Sequence, residues 1–505
     1  MWHAVHNKHR VPHRTRVNMP ADKPKTSRHT EVERKFDVVE STVSPSFEGL
    51  ALVSRVQHQP TQLLEAVYYD TPSHDLAAHK ITLRRRTGGT DEGWHVKLPA
   101  GPDARTEVRA PLADSVPEDI RDVVAAIVRD RSLSAVARIT TNRTVSLLFG
   151  ADGTPLAEFC DDQVDAAALR PDSEPQTWRE WELELIGQPR KAADLLDRLS
   201  NRLLDAGAVP AGHGSKLARV LATGEPSTAG VETSDPVRRA VAENVAELLV
   251  WDRAVRADAW DSVHQMRVTT RKIRSLLADE SFGLPEDSWI LDELKLLAGI
   301  LGVARDAEVL AEKYEKALDS LAPELVRGPV RARLVDGAKA RYAGGWRRSL
   351  MAMRSERYFR LLDGLDELVA APSETTEKSG SESAAASMAA AYKKVQKAAK
   401  AAADDGTDES LHRIRKRAKR LRYTASAIGD TAVEAKAKTI QSLLGDHQDS
   451  VVSRTHLLHE ADAAHAAGED TFTYGVLYQK EVEVALEAEA GIDEALASLK
   501  KAVKK

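Results

Sequence analysis

Charged residues at alternate positions recur in three segments of the N-terminal half: Glu31, Glu33 and Lys35; Arg84 and Arg86; Glu182 and Glu184. In an extended strand, residues i and i+2 share a face, so each set presents its charges together. Carboxylates are hard oxygen ligands suited to Mg²⁺ or Mn²⁺, while Arg84, Arg86 and Lys97 suit phosphate oxygens. Hydrolysis of a phosphoanhydride needs charge neutralisation, an aligned water and a stabilised leaving group, and this combination of acids and bases can supply all three. On one strand of a half-exposed sheet such charges are simply solvated. Repeated on several strands that close into a barrel, they line a polar lumen able to hold an ion or anion.

A second constellation is repeated. HQMRVTTRKIR, from His264 to Arg274, matches HRIRKRAKRLR, from His412 to Arg422, without a gap. Helical offsets of three, seven and ten keep to one face, so His264, Arg267, Arg271 and Arg274 form one stripe, and His412, Arg415, Lys419 and Arg422 form its twin. Like charges on consecutive turns weaken a helix unless a counter-charge neutralises them, which points to a bound polyanion. A solvated face explains one such run, but not the same run twice with His at the same end. Downstream, KLLAGILGVARDAEV pairs with KTIQSLLGDHQDSVV, aligning Lys295 with Lys438, Gly302 with Gly445 and Asp306 with Asp449. Duplication of a helical unit follows. Aromatic residues are nearly absent from both stripes, which argues against a reader of single-stranded nucleic acid. A flexible inorganic polyphosphate chain suits them better. The histidines invite a metal site, but too few carboxylates accompany them.

The elements that position these residues follow from pattern and composition. At 505 residues the chain is too long for one core. Hydrophobic content of 42%, charged content of 30% and aromatic content of 5% describe a globular chain in which helix dominates. Period-two alternation from Glu31 to about Leu221 predicts an antiparallel sheet, with Thr87 to Gly93 and Gly150 to Pro155 as hairpin turns. The Gly-, Ser-, Thr- and Pro-rich residues 222–236 read as a linker. Helical periodicity then runs over 237–505, broken near 371–387, so the halves are about 237–370 and 388–505. Residues 1–28 read as a disordered basic arm, with Met19 as an alternative start. The arm lacks the apolar core of a secretory signal. No apolar run is long enough to span a bilayer. The single cysteine, Cys160, excludes an internal disulfide framework and a cysteine zinc site, which suits a cytoplasmic protein. Net charge is −5, so any polyanion is bound locally.

Residues 29–221 resemble a CYTH domain, the triphosphate tunnel metalloenzyme fold. The resemblance is carried by the Glu-x-Glu-x-Lys start at Glu31, by VYYDTP at Val67–Pro72, LRRR at Leu83–Arg86, GWHVKLP at Gly93–Pro99, Arg143, WELEL and Lys216 in GSKLAR. It implies an eight-stranded closed tunnel and an α+β chain. It further implies that Glu31, Glu33, Glu182 and Glu184 bind Mg²⁺ or Mn²⁺ with a carboxylate from AEFCDD. Strand parity with Glu158 favours Asp162, and Asp161 remains open. Lys35, Arg84, Arg86, Lys97, Arg109, Arg143 and Lys216 then grip a triphosphate. Lys35 and Tyr68 resemble a general-base pair, and Glu107 is a lumen residue with no assigned role.

Residues 237–505 resemble a CHAD domain, a helical module associated with polyphosphate. The resemblance rests on the His-x-x-Arg and Arg-Asp-x-x-Val elements. It implies a phosphate-binding surface of His264, Arg267, Arg271, Lys272 and Arg274 with His412, Arg415, Lys416, Lys419, Arg420 and Arg422. His264 and His412 read equally well as buried structural histidines. The whole chain then reads as a metal-dependent triphosphatase acting on tripolyphosphate, polyphosphate or an organic triphosphate, with no membrane partner. The alternatives are a non-catalytic polyphosphate-binding protein and an adenylate cyclase-like tunnel enzyme.

Overall fold

The structure is a computed structural model that describes residues 26–187, 192–221, 236–278, 282, 284, 285, 287–371 and 380–503. The chain forms two compact units, Met1–Ala229 and Gly230–Lys505. Their boundary falls within the expected linker, of which residues 222–235 lie outside the described residues, as do residues 1–25 of the expected N-terminal arm.

The first unit is built on strands β1 (Ser27–Val38), β2 (Arg55–His58), β3 (Gln62–Asp70), β4 (Thr82–Thr87), β5 (Gly93–Pro99), β6 (Ala104–Ala110), β7 (Ser134–Phe149), β8 (Pro155–Ala168), β9 (Gln176–Leu185) and β10 (Val209–Pro210). Eight of them close a ring in the order β1-β6-β5-β4-β3-β7-β8-β9 and back to β1, every pairing antiparallel. β2 adds to β7 and β10 adds to β1. Closure leaves no unpaired edge within the ring and turns one face of every strand inward.

Strand alternation decides which face that is. On β9, Trp181, Leu183 and Leu185 point out to join Phe36, Phe159 and Leu148 in one core, while Glu180, Glu182 and Glu184 take the other parity. Two helices within the period-two region cover the outside. α2 (Glu118–Val128) carries a buried apolar stripe of Ile120, Val123, Val124, Ile127 and Val128, and α3 (Ala192–Asp205) inserts Leu196, Leu199 and Leu203 into that core. Each such side chain, fully buried, contributes about 1.5–3 kcal/mol. The alternation expected throughout 31–221 is therefore interrupted where apolar spacing switches to three and four. Two short helices complete the unit: α1 (Asp75–Ala78), and α4 (Lys216–Val220), capped by Ser215 Oγ accepting from the Ala218 amide.

The second unit is helical: α5 (Pro236–Arg256), α6 (Ser262–Leu277), α7 (Trp289–Asp319), α8 (Gly337–Met353), α9 (Glu356–Ala370), α10 (Gly380–Asp405), α11 (Asp408–Ile428), α12 (Thr431–Ala466) and α13 (Phe472–Val503). α6 packs on α7 as α11 packs on α12, so the sequence duplication is a structural one. The halves share a core in which Tyr314 and Leu318 of α7 meet Leu457 of α12 and Tyr474 and Leu477 of α13. The second half begins earlier than expected, because the Ala-rich run after Gly380 has high helix propensity and extends α10 into the segment read as a flexible break. Residues 372–379 of that break lie outside the described residues.

Candidate functional site

The barrel encloses a cavity of about 790 Å³ lined by Glu31, Glu33 and Lys35 of β1, Tyr68 of β3, Arg84 and Arg86 of β4, Lys97 of β5, Glu107 and Arg109 of β6, Arg143 of β7, Glu182 and Glu184 of β9 and Lys216 of α4. Of the tunnel residues expected from the sequence, only Asp162 does not line it. Asp162 is fully buried behind the wall, where Arg143 donates to it at 2.8 and 2.7 Å and Lys216 at 2.8 Å. The Asp161 alternative takes the outer face, paired with Arg179 at 2.8 and 2.6 Å.

Among the described residues three carboxylate-rich groups have ligand atoms within 4.8 Å of one another: Glu31, Glu33 and Glu184; Asp162, Glu180 and Glu182; and His29, Glu31 and Glu107. Their electrostatics differ. In the second group Lys216 Nζ contacts Asp162, Glu180 and Glu182 at 2.8, 2.7 and 2.8 Å, and Arg143 contacts Glu182 at 2.5 Å. Burial raises the Glu182 carboxyl, but Lys216, Lys35 and Arg143 outweigh it and hold the pKa well below the carboxylate range. In the first group, burial likewise opposes ionisation of Glu33, but Lys35 and Lys97 bring its pKa to about 2. Glu184 is the exception. Burial and the charges of Glu31, Glu33 and Glu158 push its pKa up to about 7. Crowded carboxylates with an incompletely neutralised member suit a hard divalent cation, so the residues present fit Mg²⁺ or Mn²⁺.

The bases are equally strained. Burial, then Arg84 and Arg143, lower the Arg86 pKa to about 9. Arg84 Nε and Arg86 Nε are buried and lack a hydrogen-bond partner among the described residues. Such orphaned donors call for an anionic acceptor. Lys35 is ion-paired to Glu33 and Glu182, both at 2.7 Å. Burial works against its charge, but the two glutamates prevail and raise its pKa. A general-base role therefore meets opposing electrostatics in this arrangement, where Lys35 is a held cation. Tyr68, its expected partner, accepts from Arg84 at 3.4 Å.

Three further titratable groups take the lumen-side parity. Glu180 shares the parity of Glu182 and Glu184, and that regularity was available. Glu158 lines the cavity opposite Glu184 in register, on the face that parity had assigned to Asp162. His95 is buried against Glu107 at 2.9 Å and shares the parity of Lys97 on β5, a signal its strand pattern carries.

In the helical unit the two basic stripes converge. Burial lowers the pKa of Lys419 to about 7, helped by Arg271, Arg415, Arg422 and Arg267, so side chains of α6 and α11 act on one another. Burial, then Arg267, also depresses Arg271, with Arg274 and Arg415 adding to the effect. Arg415 Nε is buried without a hydrogen-bond partner among the described residues. His264 and His412 flank the stripes with pKa values lowered by burial, and then by Arg305 and Lys416 respectively. Lys272 turns instead towards Glu247 of α5, at 3.9 Å. Lys416 and Arg420 are exposed on α11. Tyr423, unremarked in the sequence, lies beneath Arg422 at 4.8 Å and Lys419 at 5.6 Å.

Comparisons with known proteins agree with both units. The family profile of the CYTH domain matches residues 29–204, and that of the CHAD domain matches residues 239–458. Two uncharacterized proteins of Mycobacterium tuberculosis, from strains CDC 1551 / Oshkosh and ATCC 25618 / H37Rv, are each 62% identical over 512 residues, covering 96% of this chain and 99% of theirs. Among solved structures, the CHAD domain of Ricinus communis is 23% identical with a TM-score of 0.44, covering 52% of this chain and 90% of that one. The PH1819 protein of Pyrococcus horikoshii OT3 is 15% identical with a TM-score of 0.26, covering 38% of this chain and 99% of that one. The chain thus belongs to the family that joins a CYTH domain, a triphosphate tunnel metalloenzyme fold, to a CHAD domain.

Proposed function

We propose that the barrel is a divalent-metal-dependent triphosphatase for inorganic tripolyphosphate or polyphosphate, and that the helical unit binds polyphosphate. The observation that carries this reading is one enclosed cavity in which the carboxylates of Glu31, Glu33 and Glu184 converge beside buried, unsatisfied guanidinium donors on Arg84 and Arg86. Glu31, Glu33 and Glu184 would hold the metal, which neutralises charge developing on phosphate oxygens. Arg84, Arg86, Lys97, Arg109 and Arg143 orient the chain by charge-assisted hydrogen bonds, which are worth more in an enclosed site than in water. Lys35 and Lys216 keep Glu33, Glu182 and Asp162 ionised. Among the described residues lining the cavity Phe and Trp are absent and Tyr68 is the one Tyr, its hydroxyl accepting from Arg84, so aromatic surface for stacking a nucleobase is limited to one ring. That favours a plain phosphate chain over the cyclase alternative.

The test is phosphate release by the full-length protein from tripolyphosphate, long-chain polyphosphate, ATP and thiamine triphosphate, with Mg²⁺ or Mn²⁺. Tripolyphosphate or polyphosphate should be turned over, and E33Q and E184Q should each lose about 100-fold or more, the scale of removing one preorganised electrostatic group. No release from any substrate with either metal would leave only the binding role.

A further inference from the structure

Asp91 pairs with two bases of the cavity wall. It lies in the connection from β4 to β5, formed by Gly88, Gly89, Thr90, Asp91 and Glu92. Gly88 and Gly89 take φ of +81° and +78°, and a Cβ on Gly88 would come within 2.3 Å of the Leu63 carbonyl oxygen, so this path against β3 requires glycine. His95 donates from Nε2 to the Asp91 carbonyl at 2.8 Å, fixing the backbone at the cavity wall. The side-chain carboxylate then pairs with Arg86 and approaches Arg109 at 3.8 Å. Both belong to the phosphate grip, and Asp91 itself lines the cavity. Among the described residues Asp91 is the sole ion-pair partner of Arg86, whose side chain is 8% exposed against 28% for Asp91. The more exposed carboxylate is therefore the member of the pair free to leave, while the guanidinium stays in the wall.

We propose that Asp91 is a built-in competitor for the phosphate chain: its carboxylate occupies the Arg86–Arg109 end of the grip until a phosphate group displaces it. The inference rests on the triphosphate reading of the tunnel and adds a selectivity device to it. An orthophosphate that can bind only at this end must win against Asp91 with one contact set. A triphosphate that also reaches Arg84, Lys97 and Arg143 brings the displacing phosphate to Asp91 at high effective concentration. Asp91 thus discriminates against short anions and helps the terminal product leave.

The experiment measures binding of sodium tripolyphosphate and of orthophosphate to the full-length protein by calorimetry in EDTA, at fixed ionic strength, for wild type, D91N, D91A and E92Q. Glu92 is the exposed neighbour on the same connection and controls for general charge. D91N and D91A should each tighten tripolyphosphate binding by about threefold to tenfold, the range for releasing a partly exposed charge pair. Orthophosphate should gain at least as much, and E92Q should match wild type. If Asp91 only shapes the connection, its replacement leaves binding unchanged or weaker, and either result overturns the proposal. Should wild type bind tripolyphosphate while D91N and D91A bind it equally well, this inference alone falls. If neither wild type nor the Asp91 variants bind it, the triphosphate reading falls as well.

Discussion

The basic cluster of the helical unit makes a pH prediction whose size follows from one side chain. Burial, aided by Arg271, Arg415, Arg422 and Arg267, lowers Lys419 from its ordinary 10.5 to about 7. A bound polyphosphate chain supplies the negative charge those neighbours lack, so Lys419 takes up a proton on binding and its pKa returns towards the ordinary value. The folded-state pKa lies below the unfolded one, so the ligand-free unit is least stable below pH 7 and gains stability as the pH rises towards 10.5. Affinity runs the other way, full below pH 7 and falling above it. With a free pKa near 7 and a bound pKa near 10, affinity drops by about fiftyfold between pH 7 and 9; a free value one unit higher gives about tenfold. Burial also lowers His264 and His412 from 6.5, away from that window in the ligand-free unit. The assay is titration of the full-length protein with long-chain polyphosphate, whose interior phosphates do not titrate here, at constant ionic strength from pH 7 to 9. K419R, whose guanidinium keeps its charge, should flatten the profile. Equal slopes for wild type and K419R would refute the reasoning.

Two further outcomes test the packing of each unit. K216M strips the ammonium shared by Asp162, Glu180 and Glu182, all within 2.8 Å of it. Leaving buried carboxylates short of a partner costs about 3–5 kcal/mol and lowers the barrel's calorimetric transition by roughly 10 °C; a shift under about 2 °C would show that the network carries little. The neighbouring glycines of α8 should respond with opposite signs. A Cβ on Gly345 meets the Ala304 backbone at 2.8 and 2.9 Å, so G345A should destabilise the α7–α8 contact by about 1–3 kcal/mol. Gly344 faces open space, so G344A should stabilise by about 0.5–1 kcal/mol through helix propensity alone. Thermal unfolding of both variants checks the pair.

The tunnel was legible because closure preserves parity. Once β1, β4 and β9 pair in a ring, the i, i+2 charges of Glu31, Glu33 and Lys35, of Arg84 and Arg86, and of Glu182 and Glu184 must all face the same lumen. Parity gives the face but not the depth. Asp162 shares the inward parity of Glu158, yet the flanking Arg143 and Lys216 draw it into the wall while Glu158 borders the cavity. Depth depends on which neighbour completes an ion pair, and Lys216 arrives from a helix some fifty residues downstream in the chain, beyond the reach of local pattern. Asp91 was illegible for a related reason, since its connection reads as a polar turn and the guanidinium it meets is set by the β4–β5 register. The two basic segments lie on separate helices, α6 and α11, as their periodicity predicts. That they act on one another required the packing of the two halves, which repetition in sequence does not specify.

The duplication carries more than charge. A Cβ on Gly302 would stand 3.3 to 3.5 Å from the Arg267 guanidinium, and one on Gly445 would stand 3.6 and 3.7 Å from that of Arg415. Each glycine lies inside a long helix, where it costs about 1 kcal/mol relative to alanine. At each, the arginine of the preceding helix lies against the neighbouring helix, and Arg267 Nε donates there to the Ala298 carbonyl at 3.3 Å. The paired positions place Arg267 and Arg415 alike against the following helix in the two halves. Arg267 meets Asp306 at 3.5 Å, whereas Arg415 Nε is buried without a hydrogen-bond partner among the described residues, so the two copies hold the same pose but differ in how far their charge is met.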